Sequence, residues 1–150
     1  MKNFTLPIRF GLATSGSLIA YFLVLSLFDL HTNIFFSLFN GIITGFGIYE
    51  AIKYRRLEEG PMFNYKKGFL TGIVTGFMAT LIFTVFFAVY TTEINPAFLV
   101  QLSEQWFKNL SFAGIVFFTV AIMGFATSIV LTLSFMQLFK SSNNIIIKEV

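Results

Sequence analysis

The chain has 150 residues, one domain's worth, of which 56% are hydrophobic and 11% charged, with a net charge of +3. A soluble domain carries roughly 45–50% apolar and about 25% charged residues, and 22 Phe present more apolar surface than a water-soluble fold of this size can hide. Disordered chains are polar and charged, so an integral membrane protein remains. The lack of Cys removes disulfides, thiolate metal sites and thiol chemistry together, and one His leaves no pair for haem or zinc.

Taken in chain order, the first uncharged stretch holds 19 residues between Arg9 and Asp29. It reads as a span over about 8–28. Lys2 and Arg9 imitate the basic start of a secretory signal, but the run is longer than a typical h-region of about 7–15 residues. It also ends in Leu27-Phe28-Asp29-Leu30 without a small-x-small cleavage site, so it reads as an uncleaved helix. Asp29 and His31 bracket a short turn. The second stretch encloses 20 residues up to Glu50, giving a span over about 32–52. Lys53 to Lys67 reads as a loop with its turn at Gly60-Pro61 and a helix N-cap at Asn64. The third stretch encloses 25 residues between Lys67 and Glu93, a span over about 66–91. Asn95-Pro96 then reads as an N-cap followed by Pro at the first helical position. Phe98, Leu99, Leu102 and Trp106 recur at helical spacing, with Gln101, Glu104, Gln105 and Lys108 opposite. That pattern predicts an amphipathic interfacial helix over about 96–108, anchored by Trp106, with Tyr90 as a second aromatic anchor. The last stretch encloses 31 residues, a span over about 111–139, long enough to tilt or project. The tail 140–150 joins a polar spacer to Ile145-Ile146-Ile147.

Each stretch meets the roughly 20 apolar residues a helix needs to cross about 30 Å of hydrocarbon. With no water in that layer to bond the backbone, the spans must be helical. The fold class is therefore all-α: a four-helix transmembrane bundle, with the interfacial helix between the third and fourth spans. Nine of the ten Lys and Arg fall on one side, leaving Lys108 alone on the other. Positive charge stays cytoplasmic, so both termini and the central loop are expected inside. No basic face is interleaved with stacking aromatics, so nucleic acid is not an expected partner. Arg55, Arg56, Lys66 and Lys67 could hold anionic lipid headgroups or only set topology; Glu58 and Glu59 dilute the patch and favour topology.

Small residues mark the contact faces. Gly68, Gly72 and Gly76 lie on one face of the third helix, Gly41 and Gly45 on one face of the second, and Gly124 and Ser128 on one line of the fourth. In lipid, helices associate through close backbone approach, which small residues allow. The second and third helices are expected to pack small face on small face. Ala13, Ser17 and Tyr21 suggest a face on the first. The chemistry of a catalyst is missing: the single His sits in a turn, no metal-ligand cluster occurs, and the glycines are spaced on helices rather than in a phosphate loop. No acidic or basic residue lies deep in a span. Glu50 comes closest, either as an ion or proton site or as an i, i+3 partner of Lys53 at headgroup level. Tyr21 and Asn40 read as interhelical glue.

The segment Phe63-Asn64-Tyr65-Lys66-Lys67-Gly68-Phe69, the glycine-bearing helix after it, then Tyr90 and Ile94-Asn95-Pro96 resemble an uncharacterised family. That is a domain-of-unknown-function family of small four-helix inner-membrane proteins of Bacteroidota. The resemblance implies four helices in a bacterial inner membrane and brings no activity, cofactor or site residue with it. A non-catalytic protein is the expectation: a scaffold, accessory subunit or assembly factor with a membrane-protein partner or self-association. The alternative is a small homo-oligomeric transporter or channel. No cofactor is expected.

Overall fold

The computed structural model describes residues 2–28, 30, 34–106 and 113–139. Among them every regular element is helical: α1 (Lys2–Leu27), α2 (Ile34–Glu59), α3 (Tyr65–Val89), α4 (Pro96–Trp106) and α5 (Ala113–Leu138). Four segments are long and apolar enough to cross a membrane: Thr5–Leu27, Phe35–Met62, Tyr65–Ile94 and Ala113–Leu138. At about 1.5 Å per residue the shortest covers roughly 35 Å, more than the hydrocarbon layer. The chain is a multi-pass membrane protein.

The helix starts are set by local chemistry. Asn64 is extended, and its side chain accepts the Lys67 amide at 3.0 Å, capping α3. Asn95 accepts the Phe98 amide at 3.3 Å, and Pro96 occupies the first position of α4, where its missing N–H costs nothing. The segment from Lys53 onward is not a loop. Lys, Arg, Leu and Glu are strong helix formers, and α2 runs through them to Glu59. The reversal is then confined to a short 3-10 turn, Gly60–Met62, and two extended residues. Gly60 has φ +52°, a conformation that glycine takes without penalty. α3 closes with a π-helical turn, Tyr90–Ile94, which the Asn95 amide seals onto the Tyr90 carbonyl at 2.8 Å.

α3 is the central helix. It touches α1, α2 and α5, while α1 and α5 flank the α2–α3 pair from opposite sides. Between α3 and α5 the contact is a ladder. A Cβ on Gly68 would meet Met136 Sδ at 2.8 Å, one on Gly72 would meet Thr132 at 2.5 Å, and one on Gly76 would meet Ser128 at 2.5 Å. On the next rung the roles reverse, and a Cβ on Gly124 would meet Thr80 at 2.5 Å. The steps are four residues on each antiparallel helix, so one small face serves the whole seam. α2 lays Ile48 and Ile52 over the same seam, both fully buried.

The expected pairing of small faces between α2 and α3 is not what forms. A Cβ on Gly41 would meet nothing within 4 Å, and one on Gly45 would meet Leu131 and Phe135 of α5 at 3.6 Å, an ordinary contact. α2 meets α3 with Ile48 and Ile52 instead, which fill the grooves left by Gly72 and Gly76. Its own close approach is to α1, where Gly47 lies directly on the Thr14 side chain. α1 does not use Ala13, Gly16, Ser17 or Ala20, which are exposed. It buries Pro7, Gly11, Thr14, Ser15, Leu18, Phe22 and Leu25. A Cβ on Gly11 would lie 2.7 Å from Met78 Cβ, and Thr75 Oγ1 donates to the Pro7 carbonyl at 3.2 Å.

Candidate functional site

α2 and α5 diverge between Gly45, where an added Cβ would meet Leu131 and Phe135 of α5, and Gly41, where it would meet nothing within 4 Å. The divergence opens a cavity of about 540 Å³ toward the Asn95 end of the bundle. α1 contributes Leu18 and Phe22, α3 contributes Thr80, Phe83 and Phe87, and α5 contributes Val116, Val120 and Met123. α2 supplies the polar strip, Ser37, Asn40 and Thr44. These repeat at three- to four-residue spacing, so one face of α2 carries them all.

The cavity is closed at the Asn95 end by aromatic packing. Phe98 of α4 is 3% exposed and joins Phe22, Phe87, Tyr90 and Val116 in one cluster. Phe22 is its hub, with Tyr90 edge-on at 5.0 Å and Phe87 edge-on at 5.8 Å, arrangements the ring quadrupoles favour. Ser26 and Tyr90 share a hydroxyl hydrogen bond that ties α1 to α3 there. Below the cavity lies the Gly124–Thr80 rung of the ladder.

The polar groups of the lining are neutral. Thr119 has its hydroxyl donated to the Ile115 carbonyl at 2.8 Å. Asn40 Oδ1 is buried and has no hydrogen-bond partner. None of the described lining residues is ionisable. Such a chamber can hold and orient an uncharged molecule; its described walls offer no general acid, base or nucleophile of shifted pKa.

The residues singled out from the sequence are distributed elsewhere. Gly68, Gly72, Gly76, Gly124 and Ser128 form the α3–α5 seam; Gly41 borders the cavity, and Gly45 packs on Leu131 and Phe135 of α5. Glu50 lies outside it and pairs with Lys53 at 3.2 Å. Tyr90, expected as an interfacial anchor, is 5% exposed within the aromatic cluster. The π turn and the Ser26 hydroxyl hold its phenol inside, so it has no need of headgroup water. Phe98 and Leu99 likewise turn onto the cluster. The side chains of Leu102 and Trp106, together with Asp29, His31, Lys108 and the tail 140–150, lie outside the described residues.

Arg55 is also turned inward and is 6% exposed. Its Nε donates to Thr71 Oγ1 at 3.2 Å, and its guanidinium lies 3.7 Å from Glu58 and 3.6 Å from Glu59. Glu59 also pairs with Lys67 at 3.0 Å. Arg55 is therefore spent on the α2–α3 hairpin and is closed to headgroups. Arg56, Lys66 and Lys67 remain on the surface, with Arg56 5.7 Å from the Phe139 ring. Tyr21 donates to the Phe36 carbonyl at 2.9 Å, joining α1 to α2 as interhelical glue.

Sequence reasoning missed Gly11 and Gly47: each has a single small residue four positions on, Ser15 and Ala51, after which the line breaks at Ile19 and Arg55. It also missed Phe22, Phe87 and Phe98 as a closure, because 22 Phe leave no single one distinctive. Asn40 was legible as a polar group inside a span, but the space beside it was not. No curated protein and no solved structure matches the chain. A family model does match, over residues 9–113, from within α1 through α4 to the first residue of α5. Carrying that match over most of its length, the chain belongs to the family described as Protein of unknown function (DUF4199).

Proposed function

We propose that this is a non-catalytic protein of the bacterial inner membrane that works as a scaffold, accessory subunit or assembly factor through helix–helix contacts. The observation that supports this best is the placement of charge. Among the described residues, Lys2, Arg9 and the run from Glu50 to Lys67 gather toward the Gly60 end, while Glu93 and Glu104, and no cation, stand at the other. Arg55, the one buried cation among the described residues, is committed to an intramolecular network. Charged groups inside a membrane mark ion and proton pathways, and the described spans offer none in mid-membrane. The same bias supports a cytoplasmic Gly60 end with both termini on that side. α4 then lies at the outer interface, and Arg56, Lys66 and Lys67 face the anionic inner leaflet.

The test is extraction of the full chain from native membranes into nanodiscs, followed by mass spectrometry. A single membrane protein at fixed stoichiometry, which rebinds when both are purified and mixed, supports the reading. Recovery of self-copies alone shifts weight to a second reading, a small homo-oligomeric transporter, which the neutral cavity favours. Solute flux in proteoliposomes then decides between them.

A further inference from the structure

Phe98 is the part of α4 that enters the bundle. It is buried, lines the cavity and shares a cluster with Phe22, Phe87 and Val116, while Pro96, Ala97 and Gln101 around it are exposed. Leu99 packs against the same cluster. These two side chains seat α4 over the Asn95 end of the cavity. Apolar contact of this kind is non-directional, and withdrawing Phe98 leaves no buried polar group unpaired.

The segment that leads into α4 has a fixed base and an exposed arm. Tyr90 and Thr91 are buried, and the Tyr90 phenol is tied to the Ser26 hydroxyl. Thr92, Glu93 and Ile94, next along, are exposed. The turn itself is π-helical, because the Asn95 amide reaches the Tyr90 carbonyl, five residues back, at 2.8 Å. Such turns hold one residue more than the α-helix and recur at functional sites. Pairing the same amide with the Thr91 carbonyl, four residues back, restores the α register. It also turns the chain beyond by about 100°, which takes Phe98 out of the cluster. Two hydroxyls lower the cost of the exchange. Thr91 Oγ1 donates to the Phe87 carbonyl at 2.9 Å and Thr92 Oγ1 to the Ala88 carbonyl at 2.9 Å. Those carbonyls therefore keep a donor while the backbone amides change partners.

We propose that α4 is a lid on the cavity, with Phe98 as its plug and the π turn as its hinge, and that a one-residue change of register lifts the plug and opens the Asn95 end to water. None of the described lining residues is ionisable, so an uncharged solute is what the open lid admits. The inference concerns access to the cavity and does not depend on a protein partner, so its failure leaves the scaffold reading untouched.

The test uses the full chain in nanodiscs, where reagent reaches both aqueous faces. Val116→Cys places a single thiol in the cluster with Phe98, three residues from the start of α5. Ile122→Cys, exposed toward lipid on the same helix, is the blank. A charged methanethiosulfonate enters neither lipid nor the closed cluster. Val116→Cys is expected to react slowly, yet faster than Ile122→Cys. Phe98→Ala should speed it by about tenfold to a hundredfold, the equivalent of one buried Phe side chain. Spin labels at Leu27→Cys and Gln101→Cys, both exposed, read the lid with Phe98 in place, so the proposal stays testable if Phe98→Ala does not fold. Two distance populations are expected between them. A single distance, or reaction at Val116→Cys no faster than at Ile122→Cys, overturns the proposal. Fast reaction at Val116→Cys that Phe98→Ala leaves unchanged also overturns it, since water then reaches the rim without any movement of α4.

Discussion

Gly76 and Gly16 are both helical glycines, and a methyl group at each should act in opposite directions. At Gly76 the added Cβ lies 2.5 Å from Ser128, a side chain held between two backbones, so α3 and α5 must separate. Gly76→Ala is expected to cost about 1–3 kcal/mol, the range for overpacking. At Gly16 nothing lies within 4 Å, and Gly16→Ala should stabilise by about 0.5–1 kcal/mol through the lower entropy of the unfolded helix. Detergent or thermal unfolding reads both, and Ser128→Gly should recover part of the Gly76→Ala loss if the ladder is right. Glu50 is a milder case. Its pair with Lys53 is partly exposed, so Glu50→Gln should cost about 0.2–0.5 kcal/mol. Cation flux in proteoliposomes should be the same as wild type; a wild-type flux that Glu50→Gln removes would make the carboxylate a coupling group.

The α2–α3 hairpin depends on the inward turn of Arg55. Its guanidinium joins Thr71 of α3 to Glu58 and Glu59 of α2, and Lys67 closes the group from the first turn of α3. Arg55→Gln should cost about 1.5–3 kcal/mol, the range for hydrogen bonds to charged groups. It should also raise protease cleavage near the Gly60 turn. Arg55→Lys should rescue little, because an ammonium lacks the planar fork that reaches Thr71 and the carboxylates together. Full rescue by Lys would show that charge alone holds the hairpin. α3 and α5 depend on a different device, uncharged and steric, where threonine, serine and methionine fill the space that glycine leaves.

At the scale of the molecule, the bias of cations toward the Gly60 end predicts the orientation in the membrane. The chain has no Cys, so single Cys variants report cleanly. Met62 and Gln101 are exposed at opposite ends. Met62→Cys should react with an impermeant maleimide only after lysis, and Gln101→Cys in intact cells. The reverse pattern would overturn the charge-based topology. The bundle is closely packed around α3 and opens where α2 leaves α5, so its described interior is asymmetric: a glycine seam toward the Gly60 end, then the neutral chamber and its aromatic closure.

Composition and charge spacing determined by themselves that the chain enters a membrane, that four segments are long enough to cross it, and that the segments are helices. Those properties are additive along the chain, and the bilayer enforces them on each segment separately. Asn64 and Asn95 were equally legible, because a cap is a contact within one turn. The glycine line of α3 showed that something approaches closely; only the tertiary structure decided that α5 does so, with Ile48 and Ile52 of α2 alongside. It also decided that Arg55 and Tyr90 face inward and that Asn40 borders empty space. In water, hydropathy contrast tells a helix which face is buried. Within lipid both faces are apolar, and partner choice passes to shape, hydrogen bonds and fit, which exist only once the helices are assembled.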